Sequence, residues 1–225
     1  MATRDPYEIV ETLRSFRPRL ADNSFQALVL YEAWSALNTP SSAREALVRS
    51  PVTKAIGVMW QATQDSLIIC LTRAFDKPGR SLHGSDRVSF VVFRHLLDEP
   101  SVLDTLMSDA QSKVGPDMKV DAGQAVINAA ARLRDRLDSL AHEQPNRLHR
   151  LRAIRDHYLA HQLQLGDSIP PPIFQNLRTM VDEVLTLAED ATRVLQPTLI
   201  EWPRGEVEGH TARLIDVVAE KFPHI

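Results

Sequence analysis

The sequence holds a single cysteine among 225 residues, so an internal disulfide is impossible and a disulfide-stapled fold is excluded. Cys70 lies in the apolar run SLIICLTRAF, and we expect it to be a small buried hydrophobic residue. Only eight glycines occur, and the apolar–polar alternation that is typical of strands is scarce. These shortages favour a helical protein.

Long hydrophobic runs are also missing. No uninterrupted apolar stretch approaches the roughly 18 residues that a membrane-spanning helix needs. The first residues, MATRDPYEIVETL, lack the apolar segment of a secretory signal, so we expect a cytoplasmic protein with no membrane partner. The formal net charge of -3 provides no global basic field, so any binding to nucleic acid must depend on a local patch.

Prolines and short polar clusters divide the chain into amphipathic segments with helical periodicity. Helices are predicted over about 6–17, 19–37, 43–50, 51–75, 87–97, 100–113, 121–141, 144–162, 173–199 and 210–222. We expect Pro18 to end the first helix, and the helix over 51–75 to be central and buried. The charged stretch RLRDRLD at 132–138 is typical of a solvated helix face. The prediction is an all-α, up-and-down helical bundle with extra peripheral helices.

The stretch LRAIRDHYLAHQ at 151–162 is the part of the chain whose residue types suggest chemistry. In α-helical geometry, residues three or four positions apart share a face, so Arg152 can pair with Asp156, and His157 lies one turn before His161. Arg155 and His161 are six positions apart and lie about 120° from each other around the helix axis. The two side chains can therefore face one cleft without touching.

Three interpretations of this stretch are open. The first is an ordinary solvated face, whose Arg–Asp pair contributes only about 0.2–0.5 kcal/mol. The second is a zinc or iron site on His157 and His161, which needs a further ligand. The candidates for that ligand nearby in sequence are His142, Glu143 and His149. The third is a metal-independent phosphodiesterase pair, in which His161 moves protons and Arg155 binds the phosphate.

The letters RDHYLAH resemble the signature of HEPN domains, in which an arginine, a polar residue and a few further residues precede a histidine. Upstream, LTRAFDKPGRSLHGSDRVSFVVFRHLL is similar to a segment of the HEPN subfamily related to the AbiU abortive-infection proteins. That segment consists of a helix, an Arg-x-Phe-Asp motif, a serine-containing loop and an apolar helix. The resemblance covers about residues 25–200.

The resemblance implies a single HEPN-like domain over 1–225, with its core at about 20–200 and a C-terminal loop and helix over 201–225. It implies a dimeric endoribonuclease of a toxin–antitoxin or anti-phage system, which acts on RNA without a metal or another cofactor. An antitoxin protein is a further expected partner. The alternative is an HEPN-like bundle that has lost catalysis and binds a nucleotide or a protein.

The resemblance also assigns roles to residues. Arg155 and His161 become the catalytic pair, and Asp156 orients its neighbours. The expected substrate-binding residues are Arg152, His157, Arg73 and Asp76. For Asp76 and Arg73 a second interpretation stays open, in which they only close the end of the preceding helix.

Overall fold

The computed structural model of the chain describes residues 5–38, 45, 49, 53–78, 87–99, 101–142, 145–159, 174–196 and 201–221. These residues are mostly helical and contain no β-strand, which confirms the predicted all-α bundle. The helices are α1 Pro6–Asn38, α2 Thr53–Arg73, α3 Phe90–Leu97, α4 Val102–Ser112, α5 Lys119–His142, α6 Pro145–Ala153, α7 Phe174–Leu195 and α8 Arg204–Lys221. None of them, within the described ranges, has both the length and the apolar character that crossing a membrane requires.

Helix α1 continues through Pro18, so the predicted break at that residue is wrong. A proline inside a helix costs about 3 kcal/mol because it lacks the N–H and its ring crowds the preceding turn. The Pro18 side chain is exposed, whereas Leu13, Phe16 and Leu20 around it are buried. Burial of each such side chain contributes about 1.5–3 kcal/mol, so continuing the helix outweighs the cost of the proline.

Helices α1 and α7 form the centre of the bundle, where α1 packs against α2, α7 and α8, and α7 also packs against α5. The predicted burial of α2 is correct only for its C-terminal half, where Leu67, Ile68 and Leu71 are buried. Its N-terminal half is largely exposed, and Val58 is 70% accessible. An apolar residue type alone does not reveal where a long helix leaves the core.

Two further segments test the predicted boundaries. The apolar stretch at 87–97 forms helix α3 as predicted, and the Ser89 side chain caps its first turn by accepting a hydrogen bond from the Val92 N–H. The stretch at 201–209 was predicted to be a loop, yet α8 already begins at Arg204 and contains Gly205 and Gly209. Glycine weakens a helix by only about 1 kcal/mol, so two glycines did not end this one. The short helix predicted over 43–50 lies outside the described residues, except for Glu45 and Arg49.

The charged side chains at 132–138 are exposed or partly exposed, and four of them also form ion pairs with neighbouring helices. Arg132 and Arg136 face α7, where Arg132 Nε lies 3.0 Å and Arg136 Nε 3.7 Å from the carboxylate of Asp190. On the other side of α5, Arg134 and Asp138 pair with Asp98 and Arg94, which lie at the end of α3 and within it. These charges join α5 to its two neighbours, because residues i and i+4 share a face of the helix.

We expect Asp190→Ala to lower the free energy of unfolding by about 2–3 kcal/mol, because it leaves two arginines beside a site from which water is excluded. The Asp190 side chain is 3% exposed. The matched control is Asp182→Ala on the same helix, which removes an exposed pair with Arg204 and is expected to cost about 0–1 kcal/mol. Urea denaturation of both variants measures the difference. Equal losses would contradict a structural role for the buried carboxylate.

Candidate active site around Arg155

The stretch that the sequence singles out does not continue as an α-helix. After α6, residues Ile154–Leu159 form a π-helical turn. In such a turn each N–H bonds five residues back, so the turn holds more residues than an α-helical one. The predicted angle of about 120° between Arg155 and His161 assumed an α-helix, and His161 lies outside the described residues. π-helical turns occur frequently at functional sites, and this one coincides with the candidate motif.

Two carboxylates hold the Arg155 guanidinium. Its Nε lies 2.7 Å from Oδ1 of Asp156, and its Nη1 lies 2.9 Å from Oδ1 of Asp76. The hydrogen bond with Asp156 is the largest of the effects that raise the pKa of Arg155 above its ordinary value. The Arg155 side chain remains 25% exposed, so it is fixed in direction and still reachable from solvent.

Asp76 is positioned by the backbone that follows α2. Its N–H donates to the Arg73 carbonyl at 3.2 Å, which continues the helix end as a turn. The Ser89 hydroxyl, at the start of α3, donates to the Asp76 carbonyl at 2.6 Å. Asp76 thus closes the helix end and also contacts the candidate catalytic arginine. The closing of the helix end is thus observed, and the expected binding of substrate by Asp76 stays a prediction.

Arg152 does not pair with Asp156, contrary to the prediction from α-helical spacing. Its Nη2 donates to the carbonyl oxygen of Phe75, and burial lowers its pKa from the ordinary value. Asp156 instead pairs with its immediate neighbour Arg155. The change from α-helix to π turn at Ile154 removes the i and i+4 alignment on which the predicted pair depended.

The remaining predicted residues are not all brought to this site. The Arg73 side chain is exposed and forms no hydrogen bond or ion pair with a described residue. The side chain of His157 and the whole of His161 lie outside the described residues. Within the described part of the chain, no group of three His, Cys, Asp or Glu residues is arranged to hold a metal ion.

Sequence reasoning missed Ser89 as a positioning residue. Its hydroxyl accepts from the Val92 N–H at 3.1 Å while it donates to the Asp76 carbonyl. Serine directly before an apolar helical run is a common helix cap, so half of this role was visible in the sequence. The contact with Asp76 was not visible, because it joins residues that are 13 positions apart across a loop.

Cys70 is buried, as predicted, and its thiol is not suited to nucleophilic chemistry. Its sulfur lies 3.1 Å from the carbonyl oxygen of Asn23 on α1. Burial raises the pKa of Cys70 to about 11, so almost no thiolate exists at neutral pH.

The Cys70 pKa predicts a loss of stability at high pH. The unfolded thiol loses its proton near its ordinary pKa of 9.0, and the folded thiol only near 11. Between these values the unfolded state binds fewer protons, so unfolding becomes more favourable as the pH rises. We expect the wild type to lose about 2 kcal/mol more than Cys70→Ala between pH 8 and 11, measured by urea denaturation at each pH. Parallel pH profiles would contradict the shifted pKa.

A double-mutant cycle tests the pair that organises the site. We expect Arg155→Ala and Asp76→Ala to be coupled by about 1 kcal/mol in unfolding free energy, because both side chains are half-buried. The control cycle uses Arg204 and Asp182, whose side chains are 45% and 43% exposed, and is expected to give a smaller coupling. Equal coupling in both cycles would show that Asp76 does not hold Arg155 more firmly than a surface pair does.

Comparison with known proteins leaves the family of the chain open. No family model matches it, and neither a curated protein nor a solved structure does. The resemblance to HEPN domains therefore stays a prediction from the sequence.

Proposed function

We propose that this chain is a metal-independent endoribonuclease of a toxin–antitoxin or anti-phage system, and that it works as a cytoplasmic homodimer. The observation that carries the proposal is the Arg155 guanidinium, which two carboxylates orient on a π turn while a quarter of the side chain stays exposed. The HEPN-like motif of Arg155, Asp156 and His161 supplies the chemistry, with Asp76 as a positioning residue.

Arg155 suits a phosphate that gathers negative charge. A guanidinium has five N–H donors in a fixed fork, and two of them are used by Asp156 and Asp76. The other three make no hydrogen bond to a described residue, so they can bind the oxygens of a phosphorane. The carboxylates fix the plane of the fork before the substrate arrives, which lowers the cost of ordering it.

The proposed reaction is an internal transesterification. His161 takes the proton of a ribose 2′-OH, and O2′ attacks the adjacent phosphorus to form a phosphorane that Arg155 stabilises. The P–O5′ bond then breaks, and O5′ receives a proton from a histidine acting as general acid. The products are a 2′,3′-cyclic phosphate and a 5′-OH, and no oxidant or metal takes part. Two motif helices, one from each subunit, would supply paired arginines and histidines.

One observation favours a second function. Asp76 and Asp156 both contact Arg155 and offset its charge, which weakens its attraction for a phosphate. A bundle that has lost catalysis and binds a nucleotide or an antitoxin protein would tolerate this weaker attraction between Arg155 and a phosphate. Such a module would bind its ligand and leave RNA intact.

The test is cleavage of a single-stranded RNA in EDTA, with detection of the 2′,3′-cyclic phosphate end. We expect His161→Ala to lose a factor of about 10² or more, as for removal of a general acid or base. Arg155→Ala should lose about 10²–10³, as for removal of a donor to a developing oxyanion. Asp76→Asn should lose about 10-fold, because the guanidinium is then held less firmly.

Matched controls change the same residue types at exposed positions. Arg150 lies on α6 and His210 on α8. The variants Arg150→Ala and His210→Ala should both cleave RNA as the wild type does. Cleavage that needs an added metal, or wild-type activity in His161→Ala, would refute the nuclease. The dimer is checked by light scattering, since a mass near the single-chain 25.3 kDa would rule out a shared site.

A further inference from the structure

A groove opens beside the Arg155–Asp76 pair, and neither of these two residues lines it. It has a volume of about 410 Å³ and lies between the end of α2, the start of α3, the C-terminal half of α5 and helix α6. This size falls within the range of small-molecule sites in proteins. The groove and the pair share the same backbone, because Phe75 and Lys77 flank Asp76 and Arg152 lies three residues before Arg155.

The walls of the groove are mainly carbon. Side chains from four segments contribute to them, namely Phe75, Val91, Leu137, Leu140, Ala141 and Leu148. Leu137 and Leu140 also belong to the core, so this wall is held rigidly by α5. A ligand that fills the groove must therefore present a largely apolar or aromatic surface to it.

Two cations, Lys77 and Arg152, line the groove together with the imidazole of His149, and none of the three forms an ion pair with a described residue. The charges of Asp76 and Asp156 act on Arg152 without a direct ion pair. Arg94 also lines the groove, but its guanidinium is bound by Asp138. Arg152 uses one N–H on the Phe75 carbonyl, which fixes the guanidinium and leaves its other donors for a ligand. Apolar walls with unpaired cations at the rim fit a flat apolar body that carries an anion.

We propose that this groove binds one nucleoside monophosphate unit, with the base against the apolar walls and the phosphate at Arg152 and Lys77. The planar fork of an arginine matches phosphate oxygens, and an apolar slot accepts a base without reading its sequence. The choice of a nucleotide over other amphiphilic anions rests on the proposed ribonuclease function, since the groove adjoins its candidate arginine. The unit is either a free nucleotide or an unpaired nucleotide of an RNA strand.

The experiment is isothermal titration of the wild type with adenosine 5′-monophosphate, inorganic phosphate and octanoate. Adenosine monophosphate should bind at least about 10-fold more tightly than phosphate, which lacks the body that fills the groove. It should also bind more tightly than octanoate, which offers a carboxylate on a flexible chain. Equal binding of phosphate would exclude a base site, and equal binding of octanoate would exclude a nucleotide as the specific ligand.

Variants locate the site. Arg152→Ala should weaken the binding of adenosine monophosphate by about 10-fold, the effect of a charge-assisted hydrogen bond. In Ala141→Trp a larger side chain enters the groove from an exposed position, and no core atom is removed. This variant should no longer bind adenosine monophosphate, while its Tm stays unchanged. The control Arg150→Ala removes the same charge from an exposed position of α6 that does not line the groove, and should bind as the wild type does. Full binding by Ala141→Trp, or an equal loss in Arg150→Ala, would overturn the assignment.

A second set of titrations separates the two sources of the nucleotide and the two proposals. An oligoribonucleotide with 2′-O-methyl sugars cannot undergo 2′-OH attack, so its binding is measured without cleavage. Tighter binding of this oligomer than of adenosine monophosphate, weakened by Ala141→Trp, assigns the groove to RNA. Weaker binding, or oligomer binding that Ala141→Trp leaves unchanged, assigns the groove to a free nucleotide. If adenosine monophosphate binds while RNA stays intact, the proposed nucleotide site is supported and the proposed ribonuclease function is refuted. If RNA is cut and adenosine monophosphate does not bind, only the proposed nucleotide site in the groove is refuted.

Discussion

The ion pair between Arg155 and Asp76 joins two segments that are 79 residues apart in sequence. It ties the π turn after α6 to the turn after α2. Without it, the guanidinium would hold only its neighbour Asp156, which moves with the same turn. The direction in which Arg155 points is therefore set by tertiary structure and not by the helix that carries it.

Charge in this protein is balanced locally, which explains how a chain with a net charge of -3 can present a cationic groove. The arginines of α5 are occupied by carboxylates of α7 and by the aspartate that follows α3. Their field is largely cancelled within a few ångströms. Lys77 and Arg152 form no ion pair with a described residue, although the charges of Asp76 and Asp156 act on Arg152 from a distance. Their field is therefore cancelled less completely than that of the α5 arginines. The net charge that follows from composition does not distinguish the paired arginines of α5 from the cations of the groove.

Periodicity was enough to predict most of the fold. It placed α5 and α7 closely, because these helices bury one continuous face. The stretch of α3 could have been a strand by its residue types, and it was predicted as a helix because a lone strand would have no partner. Periodicity failed at Pro18, where burial of Leu13, Phe16 and Leu20 outweighs a local penalty that sequence rules treat as decisive. It also failed at the π turn, since no residue type specifies a change from four-residue to five-residue hydrogen bonding. At the site, the motif identified Arg155 and Asp76, but their contact depends on how two distant helix ends meet.

The Ser89 hydroxyl is shared between two tasks, since one oxygen accepts from the Val92 N–H and donates its proton to the Asp76 carbonyl. The beginning of α3 and the placement of the carboxylate that orients Arg155 are thereby linked thermodynamically. A ligand that favours the present position of Asp76 must also favour an intact first turn of α3. Opening of the first turn of α3 and loss of the Asp76 position that orients the Arg155 guanidinium therefore belong to the same local equilibrium.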